Sequence, residues 1–214
     1  MTMADARMGK ILRVRAADGG ARLLITLEAG ENAPRETLAV YAARLSHLPT
    51  VGEIGAAALS HLRRESAVCA ALGIGLRSLA ASGGSRVRLL QKLRARGIEE
   101  DAAEEAVREL AARGYLKENE SAMREAERGL TKLWGNRRIL ADLRAKGYNE
   151  EVLRPVRARL ADEDSVARCK RLLSRKRIIT LENAGADKLI ASLLRFGYSQ
   201  QEVREALRDL VEEN

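Results

Sequence analysis

Three stretches of this chain are versions of one pattern: LLQKLRARGIEEDAAEEAVREL (89–110), ILADLRAKGYNEEVLRPVRARL (139–160) and LIASLLRFGYSQQEVREALRDL (189–210). Each carries a glycine at the same place, so that Gly97, Gly147 and Gly197 are spaced 50 residues apart. Apolar residues recur at helical spacing on both sides, and glycine ends a helix because it adopts the left-handed conformation without a Cβ clash. The pattern predicts three helix–glycine–helix units, which is typical of repeat proteins that present a surface to a partner.

A further helix precedes each pair, at about 66–81, 119–133 and 163–177. Two helices joined by a tight turn leave an apolar groove that a third helix can cover. The sequence therefore predicts a mainly α-helical fold of three tandem three-helix repeats, over residues 66–116, 117–162 and 163–214. Ser85, Asn149 and Ser199 are predicted to begin helices because their side chains can cap the first turn. Pro155 is expected to kink or shorten the helix that contains it.

Residues 1–65 have a different pattern and predict a small α/β element. KILRVRA (10–16) and RLLITLE (22–28) alternate apolar and polar residues, and Asp18-Gly19-Gly20 lies between them. Alternation on both sides of a glycine-rich turn predicts a β-hairpin. A third strand is predicted over 36–40, and short helices over 41–48 and 51–64.

Positive charge is concentrated in one part of the chain. The net charge is +8, and residues 121–177 hold 16 Lys or Arg against 8 Asp or Glu, so this segment accounts for the whole excess. A localised basic field attracts polyanions such as nucleic acid. A surface that only keeps the protein soluble is an equally open interpretation.

Two basic stripes lie within this segment. Arg124, Arg128 and Lys132 share one helix face because they are spaced four residues apart, and such a face can neutralise phosphates. Trp134 either stacks on a base or, more commonly for such a residue, fills a gap between helices. The other candidate binding residues are Arg137, Arg138, Arg144 and Lys146, and a second stripe of Arg168, Arg171 and Arg175 with Lys176 and Arg177 adjoining.

Residue types that carry catalysis or bind metals are sparse. The two histidines, His47 and His61, lie far from any cysteine or carboxylate pair at metal-ligand spacing. We therefore expect no enzyme activity, no metal and no cofactor. Cys69 and Cys169 are expected to be small buried residues of a protein in a reducing compartment. Without a signal peptide or a membrane-spanning run, the chain is expected to be a soluble cytoplasmic monomer.

The ordered segments LRARGI (93–98), RGYL (113–116), GNRRI (135–139) and LRAKGY (143–148) resemble the RecX family of RecA regulators. This resemblance covers roughly residues 66–214. It implies an elongated, curved array of tandem three-helix repeats. It also implies binding in the groove of the RecA–DNA filament, contact with DNA, and inhibition of the ATPase, strand-exchange and co-protease functions of RecA. The chain departs from the family after RGYL, where KENESA (117–122) lacks the usual aromatic residue.

Two other functions stay open at this point. A general DNA-binding helical-repeat protein would need no RecA partner and would bind naked DNA as tightly as a filament. A helical scaffold for an acidic protein would not respond to DNA at all.

Overall fold

The computed structural model describes residues 7–30, 33–175 and 185–212. The chain divides into two compact units, and each is described by itself. Unit 1 comprises Met1–Ser82 with Leu89–Leu116, and unit 2 comprises Gly83–Arg88 with Lys117–Asn214. The four-part division predicted from the sequence stays a prediction. None of the helices in the described ranges combines the length and the apolar character needed to span a bilayer.

A four-stranded antiparallel sheet begins unit 1. Its strands are β1 (Arg7–Ala17), β2 (Arg22–Glu28), β3 (Arg35–Tyr41) and β4 (Gly52–Gly55), in the spatial order β3-β2-β1-β4. The hairpin of β1 and β2 and the third strand are confirmed. Alternate residues such as Ile25, Leu27 and Val40 are fully buried, because the period-two pattern turns them all toward one face.

One long helix, α1 (Ala56–Ser82), follows the sheet and corrects the sequence prediction. The sequence predicts two separate helices over 51–64 and 66–81, but no helix breaker lies between them and the helix runs through. The start of the first predicted helix forms β4, which pairs with β1. The helix predicted over 41–48 is also wrong, since only Ala42–Arg44 forms a single 3-10 turn.

Eight further helices follow in the described residues. They are α2 (Arg86–Arg94), α3 (Glu100–Ala112), α4 (Glu118–Thr131), α5 (Asn136–Ala145), α6 (Glu150–Ala161), α7 (Ser165–Arg175), α8 (Ala186–Arg195) and α9 (Gln200–Glu212). The prediction of a mainly helical chain with a small N-terminal sheet is confirmed.

Three separate apolar clusters hold these helices together. The first joins α1, α2 and α3, the second joins α4, α5 and α6, and the third joins α7, α8 and α9. Each has fully buried leucines near its centre, among them Leu93, Leu143 and Leu193. The predicted tandem array of three units stays a prediction.

The three repeated glycines end their helices in the same way. Gly97, Gly147 and Gly197 have φ values of 77°, 80° and 94°. In each turn the glycine N–H donates to the carbonyl three residues back, and the next N–H donates to the carbonyl five residues back. This pair of bonds is the Schellman motif, which satisfies carbonyls that a helix end leaves without partners.

The predicted helix starts are confirmed by their hydrogen bonds. Ser85 Oγ accepts from Arg88 N at 3.2 Å, and Asn149 Oδ1 accepts from Val152 N at 2.9 Å. Ser199 and Glu202 form a reciprocal capping box. Pro155 lies on an exposed face of α6, and the helix continues past it to Ala161 instead of being shortened.

A partly buried ion cluster ties the parts of unit 1 together. Arg44, which follows β3, donates to Glu65 of α1 at 2.5 Å, to Glu109 of α3 at 2.5 Å, and to Glu105 of α3. Its side chain is only 17% exposed, and it lines a cleft of about 950 Å³. Although burial opposes the shift, the hydrogen bond and charge of Arg44 lower the pKa of the Glu105 carboxyl below its usual value. One guanidinium thus bonds three carboxylates, of which Glu105 also pairs with Arg64 at 2.8 Å and Glu109 with Arg113 at 2.6 Å.

Replacing Arg44 by methionine is therefore expected to destabilise unit 1 by about 2–4 kcal/mol, since it leaves the buried Glu65 carboxylate without its cation, while Glu105 and Glu109 keep their pairs with Arg64 and Arg113. Urea unfolding at pH 7 measures the loss. Arg35→Met is the matched control, because Arg35 is 72% exposed in its pair with Glu28 and its loss should cost less than about 1 kcal/mol.

The penalty should shrink in acid. The folded-state pKa of Glu105 is lowered, so its contribution to stability is present above its ordinary pKa of 4.5 and is lost as the pH falls through the folded value. Equal losses for the two variants at pH 7 would contradict a central role for Arg44.

Candidate nucleic-acid interface

The first predicted basic stripe lies on the surface of unit 2. Arg124 and Arg128 project from α4, Lys132 follows its last turn, and all three side chains are exposed. No carboxylate in the described ranges forms an ion pair with any of them. The neighbouring carboxylates already have other partners, since Glu120 pairs with Lys117 at 3.1 Å and Glu127 with Arg159 at 3.1 Å. Carboxylates in the described ranges therefore do not neutralise the positive charge of the stripe. These side chains can bind phosphate groups without first giving up another partner.

The loop before α2 adds cations that the sequence analysis missed. Ser121 Oγ accepts from Arg124 Nη2 and from Gly84 N, both at 3.3 Å, which places the loop against α4. Arg86 and Arg88 follow this loop and are exposed, and Arg88 lies 4.0 Å from Glu125. They precede the basic segment by more than 30 residues, so a count of charge along the sequence does not include them.

Trp134 is held between cations. Lys132 Nζ lies 5.0 Å from the centre of its ring, and the Arg138 guanidinium carbon lies 4.3 Å from it. The ring is half-buried and packs against the core of α4, α5 and α6. This environment favours the interpretation of Trp134 as a packing residue, and its contacts with Lys132 and Arg138 are the cation–π type that orders long side chains.

Arg137 and Arg138 lie where the start of α5 meets the α8–α9 turn. Gly135 N donates to Phe196 O at 2.8 Å, and Arg137 N donates to Gly197 O at 3.2 Å. The Arg138 guanidinium also lies 5.4 Å from the centre of the Phe196 ring. Phe196 was missed by the sequence analysis because the contact spans about 60 residues and no local pattern indicates it.

Arg144 and Lys146 differ from the first stripe because they are already paired. Arg144 bonds to Glu150 at 2.9 Å, while Lys146 bonds to Asp142 at 2.6 Å and to Glu125. Burial by itself would lower the pKa of Lys146, but the hydrogen bonds and charges of these two carboxylates raise it above its ordinary value. Lys146 therefore stays charged in an internal network, and a phosphate would have to compete with its carboxylate partners.

Arg168 corrects the predicted second stripe. It is only 1% exposed, and it donates to Asn136 Oδ1 at 2.5 Å, so the prediction of an exposed stripe is wrong at this position. Two of its nitrogens, Nε and Nη1, have no hydrogen-bond partner among the described residues. Helical spacing alone could not separate Arg168 from Arg171 and Arg175, which are exposed. Lys176 and Arg177 lie outside the described residues.

The remaining reactive side chains do not form a site in the described ranges. No group of three or more His, Cys, Asp or Glu is placed there to hold a metal ion. His47 and His61 line a cavity of about 310 Å³ in unit 1. Cys69 and Cys169 are buried as predicted, and burial raises the pKa of the Cys169 thiol to about 12. The thiol is therefore un-ionised at neutral pH.

No protein-family model matches the sequence. Curated proteins with similar sequences were found, and three of them carry the name Regulatory protein RecX. The protein of Mycobacterium leprae is 33% identical over 141 residues, which cover 62% of this chain and 80% of that one. The proteins of Pelodictyon phaeoclathratiforme and Herminiimonas arsenicoxydans are each 31% identical, over 66% and 62% of this chain and 89% and 87% of their own lengths.

Two solved structures have the same fold. A crystal structure of regulatory protein RecX matches 92% of this chain and 98% of its own, with a TM-score of 0.70 and 18% identity. The crystal structure of RecX from Lactobacillus salivarius matches 67% of this chain and 96% of its own, with a TM-score of 0.57 and 19% identity.

Because the start of α5 contacts the α8–α9 turn closely, we expect Gly135→Ala to destabilise unit 2 strongly. Gly135 has an ordinary φ of −71°, but a Cβ placed on it would overlap the backbone carbonyl of Gly197. We expect a loss of about 2–3 kcal/mol in the free energy of unfolding of unit 2. Gly73→Ala is the control, since a Cβ there meets only Arg77 Nη1 at 3.5 Å and should stabilise α1 by about 0.5–1 kcal/mol. Thermal unfolding of both variants measures the difference, and the same sign for both would contradict the close approach.

Proposed function

The chain belongs to the RecX family of regulatory proteins, and from this membership we propose that it regulates a RecA recombinase by binding the RecA–DNA filament. Lying in the filament groove, it restrains the movements that accompany ATP turnover and blocks access for a second DNA strand or a co-protease substrate. The observation that carries this proposal is the uncompensated stripe of Arg124, Arg128 and Lys132 on unit 2.

A protein that binds along the groove of a helical filament needs a surface that follows the groove. Three tandem three-helix repeats in an elongated, curved array would follow a helical groove and bridge neighbouring protomers. The three apolar clusters, each formed by three consecutive helices, support this architecture. The identical glycine turns at 50-residue spacing support it as well.

The charges support contact with the phosphate backbone in particular. Cations without carboxylate partners gain a new interaction when they reach phosphate and release its counterions. Paired cations such as Arg144 and Lys146 exchange one partner for another and gain less. We therefore assign phosphate contact to Arg124, Arg128, Lys132, Arg137 and Arg138, to the exposed Arg171 and Arg175, and to Arg86 beside the neighbouring loop.

A titration against preformed RecA filaments tests the regulatory proposal. Amounts of this protein well below those of RecA should reduce both the DNA-dependent ATPase and strand exchange, because one bound copy restrains several protomers. Unchanged rates for both reactions at equimolar protein would overturn the proposal.

Charge reversal on the stripe tests the phosphate contacts. The triple variant Arg124→Glu, Arg128→Glu, Lys132→Glu should weaken binding to single-stranded DNA and to filaments. It should also reduce the slope of log K against log salt by about 2–3, which corresponds to three lost phosphate contacts. Trp134 is the only tryptophan and lies within 5.0 Å of Lys132, so its fluorescence reports binding directly.

The control is a second triple variant with the same change of charge at residues outside the stripe. Arg13, Arg77 and Arg108 belong to unit 1, outside the stripe, and reversing all three should leave the slope within about 1 of the parent. If both triple variants lose the same slope, the effect is one of net charge and the stripe is not the site. Comparing affinities for naked DNA and for filaments at one salt concentration separates the RecA regulator from a general DNA-binding protein.

A further inference from the structure

A shallow groove runs along the exposed side of α4, beside the stripe of cations. Side chains of this one helix line it, over a volume of about 610 Å³: Glu120, Met123, Arg124, Glu127, Arg128 and Thr131. They form two neighbouring rows, because residues four apart lie one above the other on a helix. The first row is Glu120, Arg124 and Arg128, and the second is Met123, Glu127 and Thr131.

The groove carries charges of both signs, which contact with phosphate alone does not explain. Glu127 follows Arg124 by three residues, and at that spacing two Cβ atoms on a helix lie about 5–6 Å apart. A carboxylate so close to Arg124 repels a phosphate bound there. It suits instead a ligand group that donates hydrogen bonds, and in DNA the bases supply such donors through their amino and ring N–H groups.

Both carboxylates of the groove keep the capacity to accept a hydrogen bond from a base. Glu120 is 58% exposed and pairs with Lys117 at 3.1 Å, and Glu127 is 47% exposed and pairs with Arg159 at 3.1 Å. Ion pairs with this exposure are weak, and an ionised carboxylate has about four positions at which it can accept. An amino group can therefore bind either carboxylate without breaking a strong interaction.

The arrangement of the cations fits one strand of DNA better than a duplex. Arg124 and Arg128, which have no carboxylate partner in the part of the chain that the structure describes, both belong to the first row. Arg159 of α6 reaches the second row, but Glu127 and Glu163 hold it, at 3.1 and 2.6 Å. One row can thus follow the phosphates of a strand while the other faces its bases. A helix in the major groove of a duplex has a backbone on each side.

We propose that the α4 groove binds a base of single-stranded DNA and favours bases that carry an amino group. This inference rests on the phosphate contacts proposed for the stripe, and it adds a contact with the base. A phosphate binds Arg124 and Arg128, and the adjoining base lies over the half-buried Met123 side chain. The amino group of the base donates to Glu120 or Glu127. Adenine, cytosine and guanine have such a group, and thymine does not.

Cytosine and thymine differ at the position that the carboxylates would contact. The N4 amino group of cytosine donates to a carboxylate, whereas thymine has the carbonyl O4 there, which a carboxylate repels. Both bases are pyrimidines, so stacking strength and backbone flexibility, the usual sources of preference in general single-strand binding, differ little between them. A preference for cytosine over thymine therefore reports the contact with Glu120 or Glu127.

Fluorescence anisotropy with labelled oligo-dC and oligo-dT of equal length, at neutral pH and one salt concentration, tests the inference. The full chain should bind oligo-dC about three- to tenfold more tightly, which corresponds to one additional hydrogen bond. The slope of log K against log salt should be the same for both strands, because their phosphates are the same.

The double variant Glu120→Gln, Glu127→Gln should lose the preference. A glutamine amide both donates and accepts, so it can bind either base, and the two affinities should agree to within about twofold. Oligo-dT should bind at least as tightly as it does to the parent, because two negative charges leave the surface, and this binding also shows that the variant is folded.

The matched control is Glu150→Gln with Glu151→Gln. It removes two exposed carboxylates from the first turn of α6, whereas Arg159 lies in the last turn of that helix. The same charge leaves unit 2, so the affinity for both strands changes together and the preference for cytosine should persist.

Equal affinities of the full chain for the two strands, or tighter binding of oligo-dT, overturn this inference and leave the regulatory proposal standing. A preference that survives the Glu120 and Glu127 double variant, or that the control loses as well, also overturns it. Binding to neither strand means that the proposed phosphate contacts are wrong too. A preference for G·C over A·T duplexes, without one between the single strands, places α4 in the major groove and contradicts the inference.

Discussion

The backbone at the end of a helix needs hydrogen-bond partners, and much of unit 2 follows from how this chain supplies them. A helix leaves its last carbonyls unpaired, and burying such a group without a partner costs about 1–3 kcal/mol. The Schellman turns at Gly147 and Gly197 satisfy two carbonyls each from within. The carbonyls of Lys146 and Phe196 are satisfied from outside, by donors at the starts of α2 and α5. The need to pair these carbonyls therefore determines both where each helix ends and which helix start it packs against.

This arrangement requires the start of α5 and the α8–α9 turn to approach each other closely. That requirement explains the roles of several residues that look unrelated in the sequence. Gly135 N reaches Phe196 O only because no side chain stands between Gly135 and the Gly197 backbone. Asn136, next along the chain, donates to Leu160 O and accepts from the buried Arg168. Tyr198, after the turn glycine, donates to Leu133 O at 2.9 Å. Polar groups therefore join the second and third apolar clusters, and their geometry is more specific than that of an apolar contact.

Local features were predictable from the sequence, and distant ones were not. The glycine turns, the caps at Asn149 and Ser199, and the hairpin of β1 and β2 each depend on a few neighbouring residues, so their patterns are complete in the sequence. Strand β4 has four residues, two of them glycine, and it exists because β1 offers an edge more than 40 residues away. The cluster around Arg44 and the burial of Arg168 likewise depend on partners brought from other helices.

The same limit applies to the candidate interface. A count of charge located the basic segment, but not which cations are free, because that depends on where the carboxylates lie. Lys146 and Arg128 are equivalent in a charge count, yet one is held by two carboxylates and the other has none among the described residues. Arg86 lies outside the basic segment, and contacts that the sequence does not indicate place it in unit 2: the preceding loop packs against Ser121, and Arg86 N donates to Glu118 at 2.8 Å.

Arg138 takes part both in the packing of unit 2 and in its proposed phosphate-binding surface. Its backbone packs against the Gly197 turn, and its guanidinium lies over Trp134 and near Phe196. A guanidinium that stacks on a ring keeps its N–H groups directed outward in its own plane, where they can still donate to a phosphate. Holding the side chain in one conformation also removes part of the entropy cost of binding, which is about 0.5–1.5 kcal/mol for a long side chain. In the proposed interface, the aromatic residues at this position therefore serve phosphate binding by ordering Arg138 and Lys132, without any stacking of Trp134 on a base.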